Sequence, residues 1–383
     1  MRIGLFSDTY TPEINGVVNS VLMLKEGLRD RGHEVFVFAP GNPDAPAERD
    51  VFRAHAMSLP VLQERRLALP WSVSLWNTVR SLDLDIVHTH TEFGVGAFGF
   101  RARRQLDVPQ VHTYHTVWEE YTHYLTQGRY LDRQARWIVA DQTRRTLRNV
   151  DHVIVPSVKT LDLLDGYGVA NPISVIPTGV DTARFSPATD KDAPRLAKLR
   201  AHYGIDQFTR TLLMIGRIAP EKSVVELFKM TLPFLREHAD TCLLVVGDGP
   251  SLGELIALCA SSDVSSQIKF TGEVPWEVVP DYYRISDVLI GNSGTETQGL
   301  TFIEAIASGT LIVSRYNSCF DGIFVDNENA SLFSRSEDYL SELEEALDPA
   351  VRAERVKAGL ATARELSKPQ FVRRVEAVYQ AVR

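Results

Sequence analysis

PTGVDTARFSPATDKDAP, residues 177–194, holds three prolines and shows no apolar periodicity. A stretch of this kind reads as a linker, and it lies near the middle of a 383-residue chain. On its N-terminal side, short apolar, β-branched runs alternate with longer amphipathic ones. Strands are expected at Arg2–Phe6, Glu34–Ala39, Asp85–Thr89, Gln110–Thr113, His152–Val155 and Ser174–Ile176. Helices are expected at Val17–Arg31, Gly94–Leu106 and Tyr130–Asn149. In the first of these, Val18, Val21, Leu22 and Leu28 lie mainly on one face and Gly32 is a stop signal. The alternation restarts beyond the linker, with strands at Thr211–Ile215, Cys242–Val246, Ile268–Phe270, Asp287–Ile290 and Leu311–Val313. Helical patterns at Asp338–Ala346, Ala350–Arg364 and Pro369–Ala381 end the chain. Alternating β and α implies parallel sheets with crossover helices. The expected fold class is therefore α/β, with two doubly wound, Rossmann-like domains at 1–180 and 181–366 and a last helix within 367–383. Such sheets bind ligands beyond the carboxyl ends of their strands, so a cleft between two facing sheets is the expected active site.

Composition narrows the class. Hydrophobic residues make up 44% and charged residues 23%, which is ordinary for a globular chain and excludes disorder and coiled coil. A net charge of −8 argues against a nucleic-acid partner contacted over the whole surface. The acidity is uneven. Residues 1–180 hold 19 Lys+Arg and 20 Asp+Glu, whereas 181–383 hold 22 and 29. Three widely spaced cysteines without a CxxC fit a reducing cytosol. The apolar run Ile3–Phe6 is too short for a signal peptide, and no stretch approaches the 18 apolar residues of a spanning helix.

Several motifs are absent or weak. No Gly-Lys pair exists for a P-loop, and Gly247-Asp248-Gly249 is followed by Leu252 where a dinucleotide fingerprint needs its third glycine. Gly247–Pro250 reads as a tight strand-to-helix turn. His88, His90, His112 and His115 stand at strand ends in metal-like spacing, but without an HExxH or accompanying carboxylates. Three other segments point to chemistry. In Asn15-Gly16-Val17, Gly16 permits close backbone approach and opens a helix whose N-terminus suits an anion. Gly216-Arg217-Ile218-Ala219-Pro220-Glu221-Lys222 places two cations at a strand's carboxyl end. A guanidinium fork and an ammonium suit two adjacent phosphates. Glu296-Thr297-Gln298-Gly299-Leu300-Thr301-Phe302-Ile303-Glu304 sets two carboxylates eight residues apart around a helix start. There the amides of Leu300 and Thr301 face an anion, Glu304 suits ribose hydroxyls, and Glu296 suits sugar hydroxyls.

In this order and spacing the three segments resemble the family-4 retaining glycosyltransferases of GT-B architecture, almost end to end. The resemblance implies that Arg217 and Lys222 neutralise a donor diphosphate, that Glu296 contacts the transferred sugar, and that Glu304 contacts the ribose. It implies a base-lining role for the stretch Phe270-Thr271-Gly272-Glu273-Val274, with Val274 in the donor site. It also gives the last helix a place against the N-terminal domain. Phe6-Ser7-Asp8-Thr9-Tyr10, His90-Thr91-Glu92-Phe93, His112-Thr113-Tyr114-His115-Thr116 and Glu120-Tyr121-Thr122-His123-Tyr124 resemble bacterial diacylglycerol glucosyltransferases. That likeness implies transfer of glucose from UDP-glucose to the 3-hydroxyl of 1,2-diacylglycerol, giving a membrane glycolipid or lipoteichoic acid anchor. His115 would then bond the donor sugar near its 6-hydroxyl, attack would be from the same face, and no metal or other cofactor would be needed. Departures are Asn15-Gly16 where relatives often have Gly-Gly, and Ser223 after the motif lysine. The alternatives are another donor or acceptor, such as mannose to phosphatidylinositol, or a catalytically silent nucleotide-sugar-binding subunit.

A lipid acceptor calls for an adhesive face, and hence a peripheral location on the inner side of the cell membrane. Ser58–Leu82 contains Leu59, Val61, Leu62, Leu67, Leu69, Trp71, Val73, Leu75 and Trp76, with Arg65-Arg66 among them. Arg101, Arg103 and Arg104 form a second basic patch, and Arg129–Arg148 holds six arginines against Asp132 and Asp141. Apolar wedges beside arginines suit an anionic interface.

Overall fold

The computed structural model describes the chain apart from residues 60, 61, 71 and 116–128, and gives only the backbone at 58, 59, 62–65, 67 and 129–135. Val61, Trp71 and the segment from Thr116 to Tyr124 thus lie outside the described residues. The chain forms two units, Met1–Gly179 with Lys368–Arg383, and Val180–Ser367.

The first unit is built on β1 (Arg2–Phe6), β2 (Glu34–Pro40), β3 (Val51–Ala54), β4 (Ala56–Leu59), β5 (Leu62–Ala68), β6 (Ile86–Thr89), β7 (Gln110–Thr113), β8 (His152–Val155) and β9 (Ile173–Val175). Seven of these make one sheet in the order β3-β2-β1-β6-β7-β8-β9, while β4 and β5 form a separate antiparallel ribbon. Every pairing in the large sheet is parallel. One face packs on helix Gly16–Asp30 and on the last helix, Lys368–Val382. Phe371, Val372, Val375 and Tyr379 of that last helix are buried against Val21, Leu24 and Leu28. At roughly 1.5–3 kcal/mol for each large apolar side chain, the anchorage is substantial. Arg31 and His33 fasten it further through Glu376, at 2.7 and 2.6 Å.

The second unit contains β10 (Arg210–Ile215), β11 (Thr241–Val246), β12 (Ile268–Gly272), β13 (Val288–Gly291), β14 (Leu311–Arg315) and β15 (Ser331–Phe333). Their order is β12-β11-β10-β13-β14-β15, all parallel. All six residues of β11 are buried, because helices cover both faces of this sheet.

The structure corrects several readings. The segment 177–194 does hold the junction of the two units, at Gly179 and Val180, but the part beyond the junction is packed into the second unit. Val180 donates to the Leu366 carbonyl at 2.8 Å, Phe185 is in the core, and Arg284 bonds the carbonyls of Arg184 and Ser186. Pro194, one of the three prolines of that stretch, sits in the first turn of helix Ala193–Tyr203, where its missing N–H costs nothing. The ninth strand is Ile173–Val175 rather than 174–176, since its register follows Val153–Val155 and leaves Ile176 to the core. Of the span 58–82, Ser58 and Leu59 end β4, Leu62–Ala68 is β5, and Val73–Ser81 is a helix. Leu75 is buried and Trp76 packs on the core, so neither belongs to an outward face. Arg66 is committed to the carbonyls of Gly41 and Ala56 at 2.6 and 3.0 Å.

Candidate active site

In an open parallel sheet the ligand site lies where strand order reverses. In the second unit that point falls between β10 and β13, and the loops leaving these strands carry the two charged motifs. Topology therefore joins segments 74 residues apart in the chain. Lys222 Nζ meets Glu296 Oε1 at 2.6 Å, and the Thr295 hydroxyl donates to the Glu221 carbonyl at 3.0 Å. Arg217, whose side chain is 69% exposed, lies 3.6 Å from Glu221. It projects into solvent with no dense packing to immobilise it.

The neighbouring loop after β11 explains the Gly-Asp-Gly turn. Ile218 donates to the Asp248 carbonyl at 2.9 Å, and Ser251 donates to the Ile218 carbonyl at 2.9 Å. The two loops thus interlock. A Cβ on Gly247 would stand 1.9 Å from the Gly216 oxygen. These glycines serve close backbone packing beneath the cation loop.

Gly299 (φ 76°) turns the chain into helix Leu300–Ala307, and no side chain caps that helix. Leu300 packs on the core beneath it, as does Val274, and Thr301 is its second residue. Glu304 is buried and accepts from the Tyr283 hydroxyl at 3.0 Å. Burial pushes its carboxyl up to about 7, against the opposing effects of that hydrogen bond and of Arg184. Arg184 stacks over Trp276 at 4.5 Å. Sequence reading missed Tyr283 and Arg184. Tyr283 carries no motif, and Arg184 was hidden in the supposed linker.

In the first unit the order reverses between β1 and β6. Asp8, at the end of β1, accepts from the amides of Phe93 and Val95 at 3.1 and 2.6 Å, which ties the β6 loop to the β1 loop. Gly16 opens its helix as expected, but Asn15 caps it, accepting from the amides of Val17 and Val18 at 3.1 and 3.0 Å. Those two amides are thus already engaged within the protein. His115 lies beside His90, Nδ1 of His90 to Nε2 of His115 being 3.0 Å. Burial, then the neighbouring His112, pushes His115 down to about 3. The other two rings are held by protein groups. His88 meets Tyr379 and Thr113 at 2.6 and 2.7 Å, and His112 meets Thr89 at 2.8 Å.

Glu304 carries a testable consequence. The resemblance implies that Glu304 receives ribose hydroxyls, which donate better to a carboxylate than to a carboxylic acid. On that reading, with a group near 7, affinity for a UDP-glucose donor is expected to tighten about tenfold from pH 6 to pH 8. Titration calorimetry without acceptor measures this. Glu304→Gln should bind more weakly and lose the pH dependence, and an equally steep dependence in that variant would exclude Glu304 as its source.

Two doubly wound domains, with cations and carboxylates gathered at a strand-order reversal, make a protein of GT-B architecture. The chain belongs to the glycosyltransferases: residues 14–184 match the model of Glycosyltransferase Family 4, and residues 197–359 that of Glycosyl transferases group 1. It is 34% identical over 350 residues to an alpha-monoglucosyldiacylglycerol synthase of Streptococcus pneumoniae, covering 91% of this chain and 78% of the relative. The synthase of the same name from Acholeplasma laidlawii is 33% identical over 348 residues, covering 90% and 87%. A GDP-mannose-dependent alpha-mannosyltransferase of Corynebacterium glutamicum is 27% identical, covering 81% and 71%. Among solved structures, Anabaena HepE in complex with UDP and glucose superposes with a TM-score of 0.76 at 15% identity, covering 100% of both chains.

Proposed function

We propose that the protein is a retaining glucosyltransferase that moves glucose from UDP-glucose to the 3-hydroxyl of 1,2-diacylglycerol at the inner face of the cell membrane. The observation that carries this reading is the joining of Lys222 to Glu296, in a chain one-third identical to two alpha-monoglucosyldiacylglycerol synthases. An alpha product from an alpha-linked UDP donor is retention. The chemistry needs a stabilised leaving group rather than a strong base. Arg217, Lys222 and the uncapped helix start at Leu300 and Thr301 supply positive potential for the departing diphosphate in place of a divalent metal. Glu296 holds sugar hydroxyls, Glu304 the ribose, and His115 bonds the sugar near its 6-hydroxyl. Same-face attack then lets the departing phosphate oxygen take the acceptor's proton.

Labelled UDP-glucose incubated with diacylglycerol in mixed micelles, with chromatography of the products, tests the assignment. A labelled glycolipid is expected from UDP-glucose and not from GDP-mannose or UDP-galactose. Product from GDP-mannose alone would overturn the donor, and no product from any of the three with folded protein would overturn the activity.

Among the described residues no helix is long and apolar enough to cross a membrane. Trp137 and Ile138 are 64% and 59% exposed on the arginine-rich helix Arg129–Leu147, which also carries Arg144 and Arg145. This pairing supports an anionic lipid surface as the partner. Sedimentation with phosphatidylglycerol vesicles should show binding that weakens with salt. The double variant Trp137→Ser, Ile138→Ser is expected to partition roughly tenfold less. Binding indifferent to salt and to lipid charge would refute the electrostatic part.

A further inference from the structure

The histidine cluster at the ends of β6 and β7 carries more than its motif announces. His88 and His90 rings lie 4.1 Å apart, and His90 and His115 rings 5.3 Å apart. His88 is pinned from both sides, by Tyr379 of the last helix and by Thr113. Burial, and then the neighbouring histidines, hold His88 and His90 well below the ordinary imidazole range, so both rings are neutral at pH 7. A neutral imidazole has one N–H and one bare nitrogen, and the hydrogen bond of one nitrogen settles the state of the other.

The bond between His90 Nδ1 and His115 Nε2 needs one donor and one acceptor. Suppose His115 donated from Nε2. His90 Nδ1 would then be bare and its Nε2 would carry the hydrogen. His90 Nε2 is buried without a hydrogen-bond partner, and His90 is 2% exposed. That arrangement buries an N–H with no partner among the described residues, the costlier kind of orphan. In the reverse arrangement His90 donates from Nδ1, its Nε2 is a bare lone pair, and no hydrogen is stranded. His115 then accepts at Nε2 and carries its own hydrogen on Nδ1. With Nε2 engaged by His90, this N–H is the donor left to His115, whose side chain is not fully buried.

We propose that His90 is a positioning residue that holds His115 in the Nδ1-protonated tautomer, so that His115 meets its ligand as a hydrogen-bond donor. The sugar is thereby recognised through a lone pair of a hydroxyl oxygen. The kinetic part of this inference rests on the proposed role of His115 in the transferase reaction, and the spectroscopic part does not.

Long-range proton–nitrogen correlation spectra of the full chain, labelled with nitrogen-15 histidine, read the tautomer directly, with His115→Asn identifying the signal. Nδ1-protonated His115 is expected at pH 7.5 in the parent and in His90→Asn, whose amide nitrogen stands near the place of Nδ1. His90→Gln reaches toward the other ring position and should release His115 to a mixture or to the Nε2 form, as should His90→Phe. Turnover is expected to fall at least about tenfold in His90→Gln and to return within about threefold of the parent in His90→Asn, with the KM for diacylglycerol unchanged. An Nε2-protonated parent, or a tautomer indifferent to all three substitutions, overturns the proposal. Should His90→Phe fail to fold, the Asn and Gln pair still separates the outcomes. Normal turnover in folded His115→Asn would instead overturn the role assigned to His115 and leave the tautomer result standing.

Discussion

Purified Arg217→Ala and Lys222→Ala chains are expected to transfer glucose at least about 10²-fold more slowly than the parent, while remaining folded. Both parts follow from geometry. The Arg217 side chain is 69% exposed, so its pair with Glu221 supports the fold by no more than about 1 kcal/mol, whereas Lys222 meets a Glu296 that is only 12% exposed and its loss should cost more. Melting curves should therefore move little for Arg217→Ala and further for Lys222→Ala. On the proposed function these cations meet the most negative charge as the diphosphate departs, so their loss should appear chiefly in kcat. Lys222 has a second task, because it holds Glu296 at 2.6 Å. Lys222→Ala and Glu296→Ala should consequently combine less than additively, whereas Arg217→Ala and Glu296→Ala should be closer to additive. Lys222→Arg tests the point charge against the fork and should recover only part of the rate. Near-normal turnover in folded Arg217→Ala or Lys222→Ala would remove the basis for the assignment.

Gly247→Ala should be the most damaging single methyl in the second unit. Gly247 has φ 127° and its added Cβ would meet the Gly216 oxygen at 1.9 Å and the Gly216 carbon at 3.0 Å. Both neighbours are backbone, so no side chain can swing aside. Strain and overpacking together are expected to cost about 3 kcal/mol or more. For a unit of this size that corresponds to a fall in Tm of about 6–12 °C. The clash bears on the loop that carries Arg217 and Lys222, so UDP-glucose affinity should fall as well. Gly253→Ala is the control: nothing lies within 4 Å of its Cβ, and it sits in helix Leu252–Ala260. That variant should be neutral or slightly stabilising. Equal melting temperatures and affinities for the two variants would refute the packing argument.

These cases show which features were legible in the amino-acid order. The buried strands of both sheets were legible because their apolar runs are a property of neighbouring residues. The short strands were not. Ser331–Phe333 and Val51–Ala54 lie at the edges of their sheets, where three or four residues carry too little pattern to separate strand from loop. The β4–β5 ribbon was missed for a related reason, since the apolar residues of 58–82 suited an outward wedge as well as a packed one. Leu75 and Trp76 turned inward because helix Val73–Ser81 has a core to cover.

The candidate site divides in the same way. Arg217, Lys222, Glu296 and Glu304 were readable as charge at strand ends and helix starts, a local feature. That Lys222 bonds Glu296 follows from β10 lying beside β13, and strand order is a property of the folded sheet rather than of either segment. The elevated carboxyl of Glu304 arises from its burial, which outweighs the hydrogen bond it accepts from Tyr283 on a different helix. His115 appeared as one motif residue, but its partner His90 and the ring that braces it, His88, belong to another strand's end, and His88 is fixed by Tyr379 from the far end of the chain. Periodicity and residue type act over a few neighbouring residues, and they sufficed for the fold class and the list of charged candidates. Contacts, burial and protonation arise between segments far apart in the chain, and only the folded units set them.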